Sequence, residues 1–86
     1  MKIQLSLFGI YRDFDCSGQI ELDVQEGACI ADLRRALLAY AEANWRGFQD
    51  GLVAKTAFAS GIGLLRDKDG LPTDGVIAVL PPVSGG

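Results

Sequence analysis

The sequence predicts an α+β domain, a mixed sheet packed on one main helix. Three observations carry that prediction. Two segments near the start alternate apolar and polar residues, as strands with one buried face do. A single stretch, from Ile30 to Tyr40, spaces its apolar residues as an amphipathic helix does. A last apolar run, Val76–Leu80, ends against Pro81 and Pro82, and it reads as a strand that must stop there.

Residues 2–8 place Ile3, Leu5 and Leu7 on one face and Lys2, Gln4, Ser6 and Phe8 on the other. Phe8 stands out as an aromatic on the polar face. Residues 11–18 carry Asp13, Asp15, Ser17 and Gly18 and read as a connection. Residues 19–24 alternate again, with Ile20, Leu22 and Val24 inward, so the two segments form an antiparallel hairpin with a long loop. A turn at residues 25–27 leads to the helix, in which Ile30, Leu33, Leu37 and Tyr40 share a face and Arg34, Arg35 and Glu42 lie opposite. Asp32 suits the positive end of the helix dipole. Cys29 occupies the capping position and predicts a weak cap.

Residues 44–51 break the pattern, with a short helical turn expected near Trp45 and Gln49. Residues 52–59 read as a third strand, residues 62–66 as a short fourth and residues 67–75 as a loop. The expected order is β-β-α-β-β-β, with the last strand parallel to the first. That order, with a terminal strand feeding a tail, is the order of ubiquitin-like β-grasp domains. The division is a domain over residues 1–80 and an extended, flexible tail over residues 81–86.

Composition narrows the function. The chain has 86 residues, 49% of them hydrophobic, enough for one small core. Its net charge is −3, it has no histidine, and it shows no basic stripe, so nucleic acid is not the expected partner. No apolar run approaches the roughly 20 residues of a membrane span, and residues 1–3 show no signal-peptide pattern, so the expectation is a cytoplasmic protein without a membrane partner. Without histidine, the commonest general base and metal ligand are missing, and no metal site is expected. Cys16 and Cys29 read as free thiols that serve as small buried hydrophobes rather than as a sulfur relay. The chain is poorly equipped to be an enzyme alone.

The tail supplies the chemistry instead. Gly85 and Gly86 have no Cβ, so the segment can thread a narrow channel. Six residues from Pro81 reach about 20 Å when extended, far enough to carry a terminal carboxylate into another protein's active site. A frayed terminus is the plainer alternative. Pro81, Pro82 and the strand before them favour the reactive tail.

The stretch Leu71-Pro72-Thr73-Asp74-Gly75-Val76-Ile77-Ala78-Val79-Leu80-Pro81-Pro82-Val83-Ser84-Gly85-Gly86 closely resembles the end of MoaD-like sulfur carriers, the small subunits of molybdopterin synthase, and of their ThiS relatives. Leu7-Phe8-Gly9-Ile10-Tyr11-Arg12-Asp13 resembles that family's first strand, and Cys29-Ile30-Ala31-Asp32-Leu33 resembles its helix start. The chain departs from the family at Asp74-Gly75, which runs straight into Val76, and at Ala59-Ser60-Gly61, where Val-Asn-Gly is usual.

The resemblance implies that a ubiquitin-activating-type enzyme adenylates Gly86 with ATP, that the anhydride becomes a thiocarboxylate, and that its sulfur passes to a substrate on a second protein. No bound cofactor is implied; the ATP is used by the activating partner. Gly86 is then the covalent site and Gly85 its steric allowance. Phe8, Leu64 and Leu80, with the tail residues Pro81, Pro82, Val83 and Ser84, would meet the activating enzyme and the molybdopterin synthase large subunit or another sulfur-accepting enzyme. Leu64 is equally compatible with a core position, and Phe8 with an isolated exposed aromatic. A carrier for thiamine, cysteine or a secondary metabolite, a ubiquitin-like modifier joined through Gly86, and a plain binding module remain as alternatives.

Several other features read as structural. Gly61-Ile62-Gly63-Leu64-Leu65-Arg66 lacks the third glycine of a dinucleotide loop. Asp67 and Asp69 lack calcium-loop spacing. Arg34 and Arg35 read as a solvated helix face, and Trp45 and Phe48 as a cover over the helix end.

Overall fold

The computed structural model describes residues 1–49 and 51–82. The elements run β1 (Lys2–Leu7), α1 (Tyr11–Phe14), β2 (Gln19–Asp23), α2 (Ile30–Asn44), α3 (Gly51–Ala54), β3 (Ala57–Ser60), β4 (Gly63–Leu65) and β5 (Val76–Leu80). The strands form one sheet in the order β2-β1-β5-β3-β4. β1 and β5 pair in parallel, and the other neighbours are antiparallel. The first and last strands therefore sit side by side in the middle of the sheet, as the sequence predicts.

Alternation decides what each strand buries. Ile3, Leu5 and Leu7 of β1, Ile20 and Leu22 of β2, Phe58 of β3, and Ile77 and Val79 of β5 point to one face. They join Ile30, Leu33, Leu37 and Ala41 of α2 in a single core. Burying each of the larger side chains contributes about 1.5–3 kcal/mol. No helix among the described residues is long and apolar enough to cross a membrane.

The start of α2 is capped from within. Asp32 Oδ2 accepts the Cys29 backbone N–H at 3.0 Å and the Cys29 thiol at 3.5 Å. The N–H bond first, and the thiol second, hold the Asp32 carboxyl below the usual carboxylate range. The first free amides of the helix are met by the 67–70 loop: Ile30 N–H donates to Asp69 O at 2.9 Å and Ala31 N–H to Asp67 O at 3.0 Å. Past the other end, Trp45 stacks on Phe14 at 5.5 Å and meets Tyr40 edge-on at 5.6 Å, which covers the helix end as expected.

Four sequence expectations change. The third strand is Ala57–Ser60 alone, because Gly51–Ala54 is a helical turn that buries Val53. That turn is held from a distance: Arg34 Nη1 donates to Val53 O at 2.7 Å and to Thr56 O at 2.6 Å. Arg34 is accordingly not solvated. Its guanidinium also pairs with Asp67 at 2.8 Å and lies 4.9 Å over the Phe58 ring, whereas Arg35 stays exposed and pairs with Asp32.

The helical turn expected near Trp45 is absent, and a short helix occurs instead within the first connection, at Tyr11–Phe14. Finally, Cys16 is exposed and Cys29 half-buried, so neither is a core residue. Cys16 lies in a turn closed by Asp15, whose Oδ1 accepts the Ser17 hydroxyl at 2.7 Å, and that turn has no core to reach.

Candidate functional site

The face of the sheet opposite α2 has no element over it among the described residues, and strand register fixes what it shows. Ser6 pairs with Ala78, Ala78 with Ala59, and Ala59 with Leu64, so these four form one row across β1, β5, β3 and β4. Gln4 and Val76 pair in the row on one side, and Leu80 and Ala57 in the row on the other. Phe8, two residues past Ser6, stands at the end of β1 beside that last row.

The open face is therefore divided. Across β2 and β1 it shows Gln19, Glu21, Asp23, Lys2, Gln4 and Ser6. Across β5, β3 and β4 it shows Val76, Ala78, Leu80, Ala57, Ala59 and Leu64. Leu64 is 71% exposed, Phe8 45% and Val76 43%, and Ile62 before β4 is almost wholly exposed. These side chains make one apolar area on a small acidic domain.

The chain leaves β5 along this apolar half. Pro81 follows Leu80, half-buried, and sits on Gly9, where an added Cβ would come within 2.8 Å of Pro81 Cγ. Gly9 has φ +59°, a left-handed conformation that side-chain-bearing residues adopt at a cost. The turn after β1 thus makes a seat for Pro81 that sets the direction in which the chain departs. Pro82 is exposed and helps wall a shallow groove with Gln49, Gly51, Leu52 and Lys55. An apolar notch lined by Ile10, Phe14, Gly47, Gln49 and Leu52 adjoins it.

Beneath the exit, Tyr11 is fully buried. Thr56 Oγ1 donates to Leu52 O at 2.8 Å, so the Tyr11 hydroxyl donates to Thr56 Oγ1, at 2.6 Å. Burial is the main reason that the Tyr11 phenol is raised above its ordinary value of 10.0. This pair ties α1 to the segment between α3 and β3, directly below the groove.

Of the residues singled out in the sequence, Phe8, Leu80, Pro81 and Pro82 lie together at one end of the sheet, whereas Leu64 lies in the middle row of the open face, on the edge strand β4. Leu64 is on the surface and not in the core. Val83, Ser84, Gly85 and Gly86 lie outside the described residues. Sequence reasoning missed Val76, Ala78, Ala57 and Ala59, although the parity of the last strand marks Val76 and Ala78 as the partners of Leu80. It also missed Gly9, whose contact with Pro81 has no local signal.

No family model matches the sequence, and no curated protein matches it. Among solved structures, the crystal structure of SAMP1 from Haloferax volcanii is similar over 100% of both chains, with a TM-score of 0.72 and 24% sequence identity. The mixed five-stranded sheet with its helix is a ubiquitin-like β-grasp fold.

Proposed function

We propose that this chain is a sulfur carrier whose Gly86 carboxyl is activated by one partner and discharged on another. The observation that carries the reading is the exit geometry. A central strand, β5, runs out of an exposed apolar surface, through Pro81 seated on Gly9, toward the Gly-Gly end. A partner that covers the apolar half is then placed to receive the tail. From Pro82 the remaining four residues reach about 14 Å when extended.

The chemistry follows from what a carboxylate lacks. It is a poor electrophile, so an ATP-using enzyme of the ubiquitin-activating type converts it to the acyl adenylate and releases pyrophosphate. Hydrosulfide attack on that anhydride displaces AMP and leaves the thiocarboxylate. Its sulfur attacks an electrophilic substrate, and water cleaves the remaining acyl–sulfur bond to restore the carboxylate. The carrier contributes the docking face and the terminus; its partners contribute the groups that move protons. The client we propose is a molybdopterin precursor, on the resemblance of residues 71–86 to molybdopterin synthase small subunits.

ATP–pyrophosphate exchange with the host's own activating enzyme tests this reading. Exchange that depends on the chain, and that is lost when Gly86 is deleted, is the expected result. Exchange that persists without Gly86, or never occurs, contradicts it. Conjugates of the chain with lysines of other proteins, formed in place of thiocarboxylate, would replace the carrier reading by the modifier reading.

A further inference from the structure

The register that pairs β1 with β5 continues past both strands. Leu7 pairs with Val79 on the last rung, so two residues further on Gly9 comes level with Pro81, the first residue after β5. A Cβ built on Gly9 would lie 2.8 Å from Pro81 Cγ and 3.6 Å from Pro81 Cδ. Among the described residues, and its chain neighbours aside, that ring is all it would meet within 4 Å. The side chain missing at Gly9 is therefore space that the first residue of the tail fills.

The turn under the ring is anchored on both sides. The Leu7 N–H donates to Gly18 O at 2.8 Å, which fixes the end of β1. The Tyr11 N–H donates to Phe8 O at 3.2 Å and the Arg12 N–H to Gly9 O at 3.0 Å, so α1 starts from the turn itself. Tyr11 is fully buried, and its hydroxyl is bonded to Thr56 at 2.6 Å. A ring packed on a turn held in this way keeps one direction. Gly27 makes a contrast. It is also left-handed, with φ +82°, yet a Cβ there would meet nothing within 4 Å among the described residues. Gly27 serves its own turn, whereas Gly9 also serves the tail.

We propose that Gly9 is a positioning residue for the reaction at Gly86: by holding the Pro81 ring it aims the tail, so that a docked partner receives the carboxyl from one direction. The proposal rests on the carrier reading and adds a residue that acts through Pro81 without touching the reacting atoms. A tail that pivoted freely after Leu80 would carry its end through a volume of roughly 20 Å radius. Holding the first residue in place removes much of that search before docking. Orientation is an advantage of the bound complex, so the seat acts on turnover and not on affinity.

The test is ATP–pyrophosphate exchange between the untagged chain and the host's activating enzyme, run well below every variant's thermal midpoint, with kcat and KM for the chain read separately. Gly9→Ala should lower kcat about fivefold and leave KM within about twofold of the parent. Pro81→Ala should lower kcat by a similar factor, and the Gly9→Ala/Pro81→Ala variant should match Pro81→Ala alone, because Gly9 then has no ring to hold. Gly27→Ala carries comparable backbone strain away from the tail, so its midpoint should fall while kcat stays at the parent's value. A parent-like kcat in Gly9→Ala, a change confined to KM, or losses that multiply in the double variant would each overturn the proposal and leave the carrier reading standing. Should Gly9→Ala not fold, two further measurements decide. A missing cross-peak between Gly9 Hα and Pro81 Hγ in the parent's nuclear Overhauser spectrum, or a parent-like kcat in Pro81→Ala, overturns the seat; the cross-peak together with the lowered kcat upholds it. If the parent itself supports no exchange, the carrier reading fails and the proposal with it.

Discussion

Two halves of one sheet face can be compared residue by residue. On β2 and β1, the exposed positions hold Gln19, Glu21, Asp23, Lys2, Gln4 and Ser6. On β5, β3 and β4, equivalent positions in the same pleat hold Val76, Ala78, Leu80, Ala57, Ala59 and Leu64. Both halves back onto the same core, and each ends in an edge strand, β2 or β4, that pairs on one side only. Folding makes the same demand on each, an extended backbone with one face buried. The difference in chemistry is therefore not a demand of the fold. On the carrier reading we propose, the apolar half, where the chain exits, is the side that a partner covers.

Substitutions sharpen that contrast, the largest effects first. Leu64→Asp and Phe8→Ala, in the apolar half, should each lower kcat/KM for Gly86 adenylation by about thirtyfold, corresponding to about 2 kcal/mol for an interface anchor. Thermal midpoints should barely move, because both side chains are exposed. Gln4→Asp in the polar half should leave both quantities unchanged. Equal losses from the two halves would break the comparison.

Gly9→Ala should destabilise the fold by about 1–2 kcal/mol through its left-handed backbone alone, with more from the 2.8 Å approach to Pro81. Gly61→Ala, with open space around it, should be nearly neutral in the same denaturation series. A Gly9→Ala/Pro81→Ala double variant should recover the Pro81 share and isolate the cost of the seat.

Tyr11→Phe removes a buried hydroxyl and should cost about 1 kcal/mol at neutral pH, while adenylation of the folded fraction stays normal. The pH dependence has a definite sign. The phenol is raised in the folded state, so its contribution is complete below pH 10 and is lost as pH rises from there through the folded-state value. Chemical denaturation across that range should show the parent losing stability that Tyr11→Phe does not lose.

The smallest effect is that of Asp32→Asn. The Asp32 carboxyl is held low, so its contribution is present above its ordinary value of 3.8 and fades as pH falls below it. The variant should be slightly less stable at neutral pH and flatter toward acid.

Much of this molecule is legible in its sequence, for identifiable reasons. β1, β2 and β5 are plain because each buries alternate residues, and a period of two needs no distant information. α2 is plain because its apolar residues share one face. Residues 52–59 mislead because their conformation is set by Arg34, whose acceptors at Val53, Thr56 and Asp67 lie 19, 22 and 33 residues away. The same distance hides Arg34 itself, which has the local look of a solvated residue. Leu64 is ambiguous because a three-residue strand, Gly63–Leu65, is too short for alternation to show which side is buried. Phe8 and Leu80 are visible as apolar residues of the wrong parity or at a strand's end. The Gly9 seat emerges only once β1 and β5 lie side by side.

The most direct test is the intact mass of the chain purified from its own host with no tag at the C-terminus. The account predicts a chain ending at Gly86, part of it heavier by the difference between one sulfur and one oxygen, with that fraction lost on deletion of Gly86. A chain that continues past Gly86 would contradict the account. So would one that ends there and keeps its carboxylate after ATP, a sulfur donor and the host's activating enzyme are supplied.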